Sequence, residues 1–520
     1  MSYGLVFYPM NNINIYPGFS LIKSFMMYYQ LTKLKCLLPL LVIVIGLVSC
    51  QNDPTIQPGL SPDRLESAFQ TYKEPSLTQR RFKHSDIVPL IKQRKPEFEV
   101  ACLGKSIQGR DIYQLAYGEG AIKVLLWSQM HGNESTATMA LFDLFNFLEG
   151  EDDDFDSLRH LIKERLSLRF IPMVNPDGAE VFQRRNSLDI DLNRDAIDEV
   201  TPEARILKSA REAFQPAFGF NLHDQQIYYN AKGSSKPATI SVLAPAYNED
   251  KDINEVRKKS MQVIVGMNRI LQEVIPGHVG KYDDAFEPRA FGDNFQKWGT
   301  STILIESGGY PGDPEKQYIR QLNFMIILNA MYEIVTENYH QYEVKDYFAI
   351  PDNDNKLMDL IVRNVEVEQR GQSFKIDLGI KQQEYRLDSS YRVAGSIVDK
   401  GDLSVFYGYQ ELDAEGLEFK PGNIWKGTYS SLDELSEQKA LELLNQGYLA
   451  IIVKEENKGK AHRLPLMVVT EEKAFQSGHQ IGNAANFFLQ QDDELYYAVV
   501  NGFVIDLKNP KFSLPTQHVP

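Results

Sequence analysis

The chain has 520 residues, 43% of them hydrophobic and 24% charged, with a formal net charge of −15. That is the profile of a globular protein of two or three domains with ample core-forming material. The acidity repels phosphate backbones, and no basic patch interleaved with aromatics relieves it, so a nucleic-acid partner is excluded. Cys36 and Cys50 lie near the N-terminus and Cys102 stands alone in the body, which excludes a disulfide scaffold.

Lys33 and Lys35 precede an apolar run over residues 37–48 that ends in Leu47-Val48-Ser49-Cys50. A run of about a dozen residues is too short to span a bilayer comfortably and suits a signal-peptide core. Its ending resembles a bacterial lipobox, which implies cleavage before Cys50 and a lipid on the Cys50 sulfur. The resemblance makes the protein an exported lipoprotein, anchored to a membrane and facing the periplasm or the cell surface. The alternative is an ordinary signal peptide with an incidental cysteine. Residues 1–50 are thus expected to be leader, with the start at Met26 or Met27, and polar, proline-bearing residues 51–61 read as a linker.

From there the segments alternate between strand-like and helix-like. Residues 98–103 and Asp111–Tyr117 suit a hairpin around Gly109, and 124–127 is a continuous apolar run suited to a central strand. Residues 129–140, QMHGNESTATMA, follow that strand and open a helix. His131 and Glu134 are three apart, so the turn can aim an imidazole and a carboxylate at one point, as a zinc site requires. A catalytic zinc takes three protein ligands, so a third is expected downstream.

A second unit ends in 166–174 and the turn-forming Asn175-Pro176-Asp177-Gly178. Thr201-Pro202-Glu203 reads as a helix start, and residues 218–222 are a strand that runs into His223. Residues 240–243 and 302–305 are strand-like, while 253–274 and 317–335 are helix-like. This alternation predicts an α/β domain with a mixed, mostly parallel sheet flanked by helices, over residues 62–343. His131, His223 and Glu306 each follow a strand, and in open α/β sheets ligands gather outside the carboxyl ends of strands.

With His131-Gly132-Asn133-Glu134, Asn175-Pro176-Asp177-Gly178, Asp191-Leu192-Asn193-Arg194, Asn221-Leu222-His223 and Ile305-Glu306-Ser307-Gly308 in this order, residues 62–339 resemble the carboxypeptidase A-like metallocarboxypeptidases. Carboxypeptidase A is itself a standard example of the His₂Glu zinc site. The resemblance implies one Zn²⁺ per chain on His131, Glu134 and His223, with Asn193 and Arg194 holding a substrate's terminal carboxylate. It implies Arg184 as the group that polarises the scissile carbonyl, with Arg185 as runner-up, and Glu306 as general base. Tyr282 matches the family tyrosine less cleanly, and Arg289 and Asp293 are candidates for the specificity pocket. The implied activity is hydrolysis of the C-terminal bond of peptides or of cell-wall stem peptides, by water activated on zinc. Aspartoacylase-like deacylases of N-acyl amino acids share HGNE and DLNR elements and are the alternative, and an inactive, surface-anchored peptide-binding module is a further one.

Residues 344–520 change character. Period-two alternation at 359–365 and 374–380, and a late hairpin at 496–505, predict a smaller, mainly-β domain. Residues 412–422 weakly resemble the small β domain flanking amidohydrolase barrels. His462, His479 and His518 have no ligand spacing, and no chemistry is expected there.

Overall fold

The strand-like segments of the first region form β1 (Glu99–Lys105), β2 (Asp111–Tyr117), β3 (Ile122–Ser128), β4 (Leu166–Ile171), β5 (Phe218–Asp224), β6 (Asn230–Ala231), β7 (Ile240–Leu243), β8 (Val279–Lys281) and β9 (Ser301–Ser307). The computed structural model describes residues 60–387, 391–510, 512 and 514–519. The expected leader, Cys50 and linker residues 51–59 lie outside the described residues. All of these strands except β6 join one sheet, in the order β1-β2-β4-β3-β5-β9-β7-β8. The central pairs β4–β3, β3–β5 and β5–β9 are parallel, while β1–β2, β2–β4 and β9–β7 are antiparallel. The expected mixed sheet is the one found.

β3 shows why both faces are covered. Successive side chains point to opposite faces: Val124 and Leu126 pack with Phe142 and Phe145 in one core, whereas Leu125 and Trp127 pack with Phe291 and Phe295 in the other. The first core lies under helices Thr136–Leu148, Glu255–Val274 and Gln317–Thr336. Gln317–Thr336 is buried continuously from Ile319 to Val335, as a helix that is apolar on nearly all sides must be. The Glu255–Val274 helix begins later than the apolar pattern at 253 suggested. Asn254 caps it by accepting the N–H of Arg257 at 2.9 Å, and Ile253 stays exposed.

After β9 and its helix, residues 344–354 still contact the strands of the first region. The buried Tyr347 hydroxyl accepts the N–H of Ala244 at 3.1 Å, and Asn353–Asp354 pairs antiparallel with β6. The second sheet begins at Leu357. Strands Leu357–Gln369 and Gln372–Arg386 form an antiparallel hairpin turned at Arg370 and Gly371, both at positive φ. The late hairpin turns at Asn501-Gly502, also both at positive φ, the backbone that a two-residue turn between twisted strands needs. A helix, Glu437–Asn445, sits beside a small parallel sheet, so the region is mainly rather than wholly β. No helix among the described residues is long and apolar enough to cross a membrane.

Two braces tie these layers to the carboxyl ends of the central strands. Arg81 lies 4.1 Å from the ring centres of both Phe182 and Tyr391, and Glu384 pairs with Arg80 and Arg81. The second sheet thereby grips a segment whose Arg80 carbonyl accepts the Ser135 hydroxyl at 2.5 Å. Deeper, Arg320 and Asp143 are both fully buried. Arg320 donates to Asp143 Oδ2 at 2.7 Å and to the Glu74 carbonyl at 2.9 Å. Removing one member of such a pair leaves a buried charge without compensation and costs about 3–5 kcal/mol. Arg320→Met is therefore expected to lower the denaturation free energy by that amount in urea titrations; an unchanged midpoint would contradict this role for the pair.

Candidate active site

Three parallel strands deliver the site. β3 ends at Ser128, and Gln129 turns the chain at φ 52°, a conformation uncommon for a residue with a side chain. Gln129 is fully buried and its Nε2 donates to the Gly132 carbonyl at 2.9 Å, closing the turn that carries His131 and Glu134. β5 ends in His223-Asp224 and β9 in Glu306-Ser307, and the register pairs His223 with Glu306.

The turn packs against the Asn175-Pro176-Asp177-Gly178 segment. A Cβ on Gly132 would lie 2.0 Å from the Gly178 carbonyl carbon, so only glycine allows this approach. Asn175 caps the Pro176–Glu180 helix by accepting the Gly178 N–H at 2.8 Å, and its Nδ2 donates to the Met130 and Arg184 carbonyls, both at 3.3 Å. Asp177 accepts from Ser106 Oγ at 2.7 Å and pairs with Arg110 at 2.8 Å. This turn is a clamp rather than a contributor of chemistry.

His131, Glu134 and His223 converge, with one ligand atom from each within 4.8 Å of the others; among the described residues they are the one such cluster. All three are nearly fully buried. Both histidines present Nδ1: His131 Nδ1 is 2.8 Å from Glu134 Oε1, His223 Nδ1 is 2.7 Å from Glu134 Oε2, and the two Nδ1 atoms are 3.2 Å apart. Zinc bonds of 2.0–2.1 Å in a tetrahedron put donor atoms about 3.3 Å apart, so this spacing fits the ion.

His131 Nε2 is 3.0 Å from Asp191 Oδ1, an arrangement that makes Nε2 the donor and leaves the Nδ1 lone pair for a metal. Burial disfavours charge on His131, but Glu134 and Asp191 outweigh it and raise its proton affinity. Burial also opposes ionisation of Glu134, yet the two histidines hold its carboxyl well below the usual range.

Arg184 reaches across the open side of this cluster. Its Nη1 is 2.9 Å from Glu134 Oε1, and its Nε and Nη2 lie 3.3 and 3.1 Å from Asp191 Oδ2. Arg185 instead donates to the Asp189 carbonyl at 2.8 Å, away from the cluster. Glu306 is buried at the end of β9; burial first, then repulsion from Glu134 and Asp224, pushes its carboxyl well above the usual range. A dication among the three donors opposes that shift. Tyr282 follows β8 and stacks edge-on to Tyr229. Burial raises its hydroxyl pKa, and the charges of Glu306 and Glu134 add to the shift.

The Asp191-Leu192-Asn193-Arg194 motif is a 3₁₀ turn over Leu192–Arg194, capped by Asp191, which accepts the Asn193 N–H at 2.9 Å. Asn193 Oδ1 accepts the Phe291 N–H at 2.9 Å, leaving Nδ2 as its free donor side. Arg194 Nε pairs with Glu287 at 3.1 Å, and Nη1 donates to the Asn193 carbonyl at 2.7 Å. Arg289 holds the other side of Glu287 at 3.1 Å, and Asp293 accepts the Glu287 N–H at 3.1 Å. Burial pushes the Asp293 carboxyl up to about 7. Two guanidiniums thus share one carboxylate beside the motif. Asp191, Glu287 and Asp224 were given no role in the sequence reading. Asp191 opens a motif already singled out and Asp224 directly follows His223, whereas Glu287 carries no local signal.

A buried His-Glu-His cluster at the carboxyl ends of parallel strands, with the Arg184 guanidinium against it, has the donor set of a zinc site. Residues 86–257, about a third of the chain, match the zinc carboxypeptidase family model. Over these residues the chain is similar to the zinc carboxypeptidases, and zinc is the metal of that family. A carboxypeptidase of Arabidopsis thaliana is 30% identical over 108 residues, covering 19% of this chain and 21% of the relative. An uncharacterised protein of Zymomonas mobilis is 28% identical over 167 residues, covering 31% and 42%. The chain spans less than half the length of these curated relatives. Among solved structures, a metallo-carboxypeptidase from Burkholderia cenocepacia is 18% identical with a TM-score of 0.39, covering 49% of this chain and 69% of that one. One from Pseudomonas aeruginosa is 17% identical with a TM-score of 0.37, covering 50% and 70%.

Outer partners of a metal-bound histidine typically cost 10–100-fold in metal affinity or activity when lost. Asp191→Asn is expected to weaken zinc binding by about tenfold or more, read by equilibrium dialysis of the full chain; parent-like affinity would remove Asp191 from that role.

Proposed function

We propose that the chain is a zinc-dependent carboxypeptidase that removes the last residue of a peptide, either an ordinary peptide or a cell-wall stem peptide. The observation that carries this reading is the register pairing of Glu306 with His223, which sets a buried carboxylate one strand away from the His-Glu-His cluster. His131, Glu134 and His223 would hold the ion. When bound, zinc supplies Lewis acidity, which polarises a carbonyl oxygen and makes water more acidic.

Glu306 accepts a proton from the attacking water as the carbon–oxygen bond forms, and returns it to the amine nitrogen as the carbon–nitrogen bond breaks. Arg184 is anchored by Asp191 but 45% exposed, so it offers N–H donors to the oxyanion as charge develops. The Asn193 amide and the Arg194 guanidinium receive the terminal carboxylate, and Glu287 cedes part of Arg194 while Arg289 keeps hold of it. Tyr282 keeps its proton at neutral pH and serves as a hydrogen-bond donor. The lipobox-like end at Cys50 supports an exported, lipid-anchored location, where stem peptides are at hand.

General acid–base groups contribute roughly 10²–10⁴-fold to rate. Glu306→Gln is expected to keep its zinc and lose turnover by about that factor on a library of peptides with free C-termini, measured by release of terminal residues. Full turnover with zinc retained would remove Glu306 from the role of base. Cleavage of N-acyl amino acids in place of peptides would assign the chain to deacylase chemistry instead.

A further inference from the structure

An ion pair behind the cluster takes no part in the steps above. Lys316, held at φ 51° just before the Gln317–Thr336 helix, places its Nζ 2.9 Å from Asp224 Oδ2 and 3.0 Å from the Ser307 carbonyl. Both side chains are only 8% exposed. Asp224 Oδ2 also accepts the Thr136 hydroxyl at 2.6 Å, and the Asp224 N–H lies 3.3 Å from Glu134 Oε2. Thr136 is two residues beyond Glu134, Asp224 one beyond His223, and Ser307 one beyond Glu306. One ammonium and one carboxylate therefore tie together the three segments that carry two of the proposed ligands and the proposed base.

Stability alone does not account for the pair. Burying a lysine and a carboxylate removes both from water, and apolar residues of similar volume would pack the space at least as favourably. Asp224 Oδ1, buried without a hydrogen-bond partner, adds to that desolvation cost. What the pair supplies is direction, because the Lys316 N–H donors fix the end of β5 against the end of β9. We propose that Lys316 is a positioning residue: acting through Asp224, it holds Glu134 and His223 in ligand geometry and Glu306 in register with them. The inference rests on the zinc reading of His131, Glu134 and His223.

The test is zinc affinity of the full chain, read by competition with a chromophoric chelator and therefore independent of turnover. Lys316→Met is expected to weaken zinc binding by about 10–100-fold, and Lys316→Arg, which keeps a charged donor, to recover most of it. The double variant D224N/K316M removes both charges, so its thermal midpoint is expected to return toward the parent while zinc affinity stays low. That variant keeps the test decisive if Lys316→Met does not fold. Parent-like affinity in Lys316→Met, or affinity that returns together with stability in the double variant, would overturn the proposal. A parent chain that binds zinc, loses affinity in these variants and yet trims no peptide would leave this inference standing and refute the proposed function.

Discussion

The parallel register of β3, β5 and β9 is the constraint on which the site depends. His223 faces Glu306 because Phe218 faces Ser301 five residues earlier along the same pair of strands. A slip of one residue would exchange the faces of every side chain on a strand, sending His223 and Glu306 to opposite sides of the sheet. The buried alternation of β3 between two cores makes such a slip costly, since Trp127 and Leu126 would trade places. Core packing and site geometry are therefore enforced by the same contacts.

Electrostatics explain why the centre is assembled from opposed pairs. Glu134, Asp191, Asp224 and Glu306 crowd one end of the sheet, and each would be unfavourable alone in so little water. Arg184 answers Glu134 and Asp191, and Lys316 answers Asp224. Glu306 makes no ion pair among the described residues, and burial with two neighbouring carboxylates drives its proton affinity up against the more distant charges of Arg184 and Lys316. A dication would sit where this arrangement lacks positive charge, beside two histidines and two carboxylates.

Much of this was legible in the sequence because the residues of the His-Glu-His cluster lie in short segments that also set backbone shape. His131 and Glu134 share one turn, Gly132 is the glycine that lets that turn approach Gly178, and His223 and Glu306 each end an apolar strand. What was not legible depends on side-chain direction or on distant contacts. Arg184 and Arg185 are neighbours of the same type, and only the bend that lets Arg184 reach Asp191 separates them. Lys316 lies 92 residues from Asp224, and nothing in the loop around it marks a buried charge. The mainly-β region was visible from its alternation, but its grip on Arg80 and Arg81 was not, because that grip joins residues about 300 positions apart through stacked rings and one carboxylate.

The central claim is that a zinc centre works beside an anchor for a terminal carboxylate. The most direct measurement compares zinc-loaded full chain acting on two peptides of identical sequence, one ending in a free carboxylate and one in an amide. Loss of a single terminal residue from the free acid, with the amide left intact, is the predicted result. Equal cleavage of both, or cleavage at internal bonds, would contradict the account.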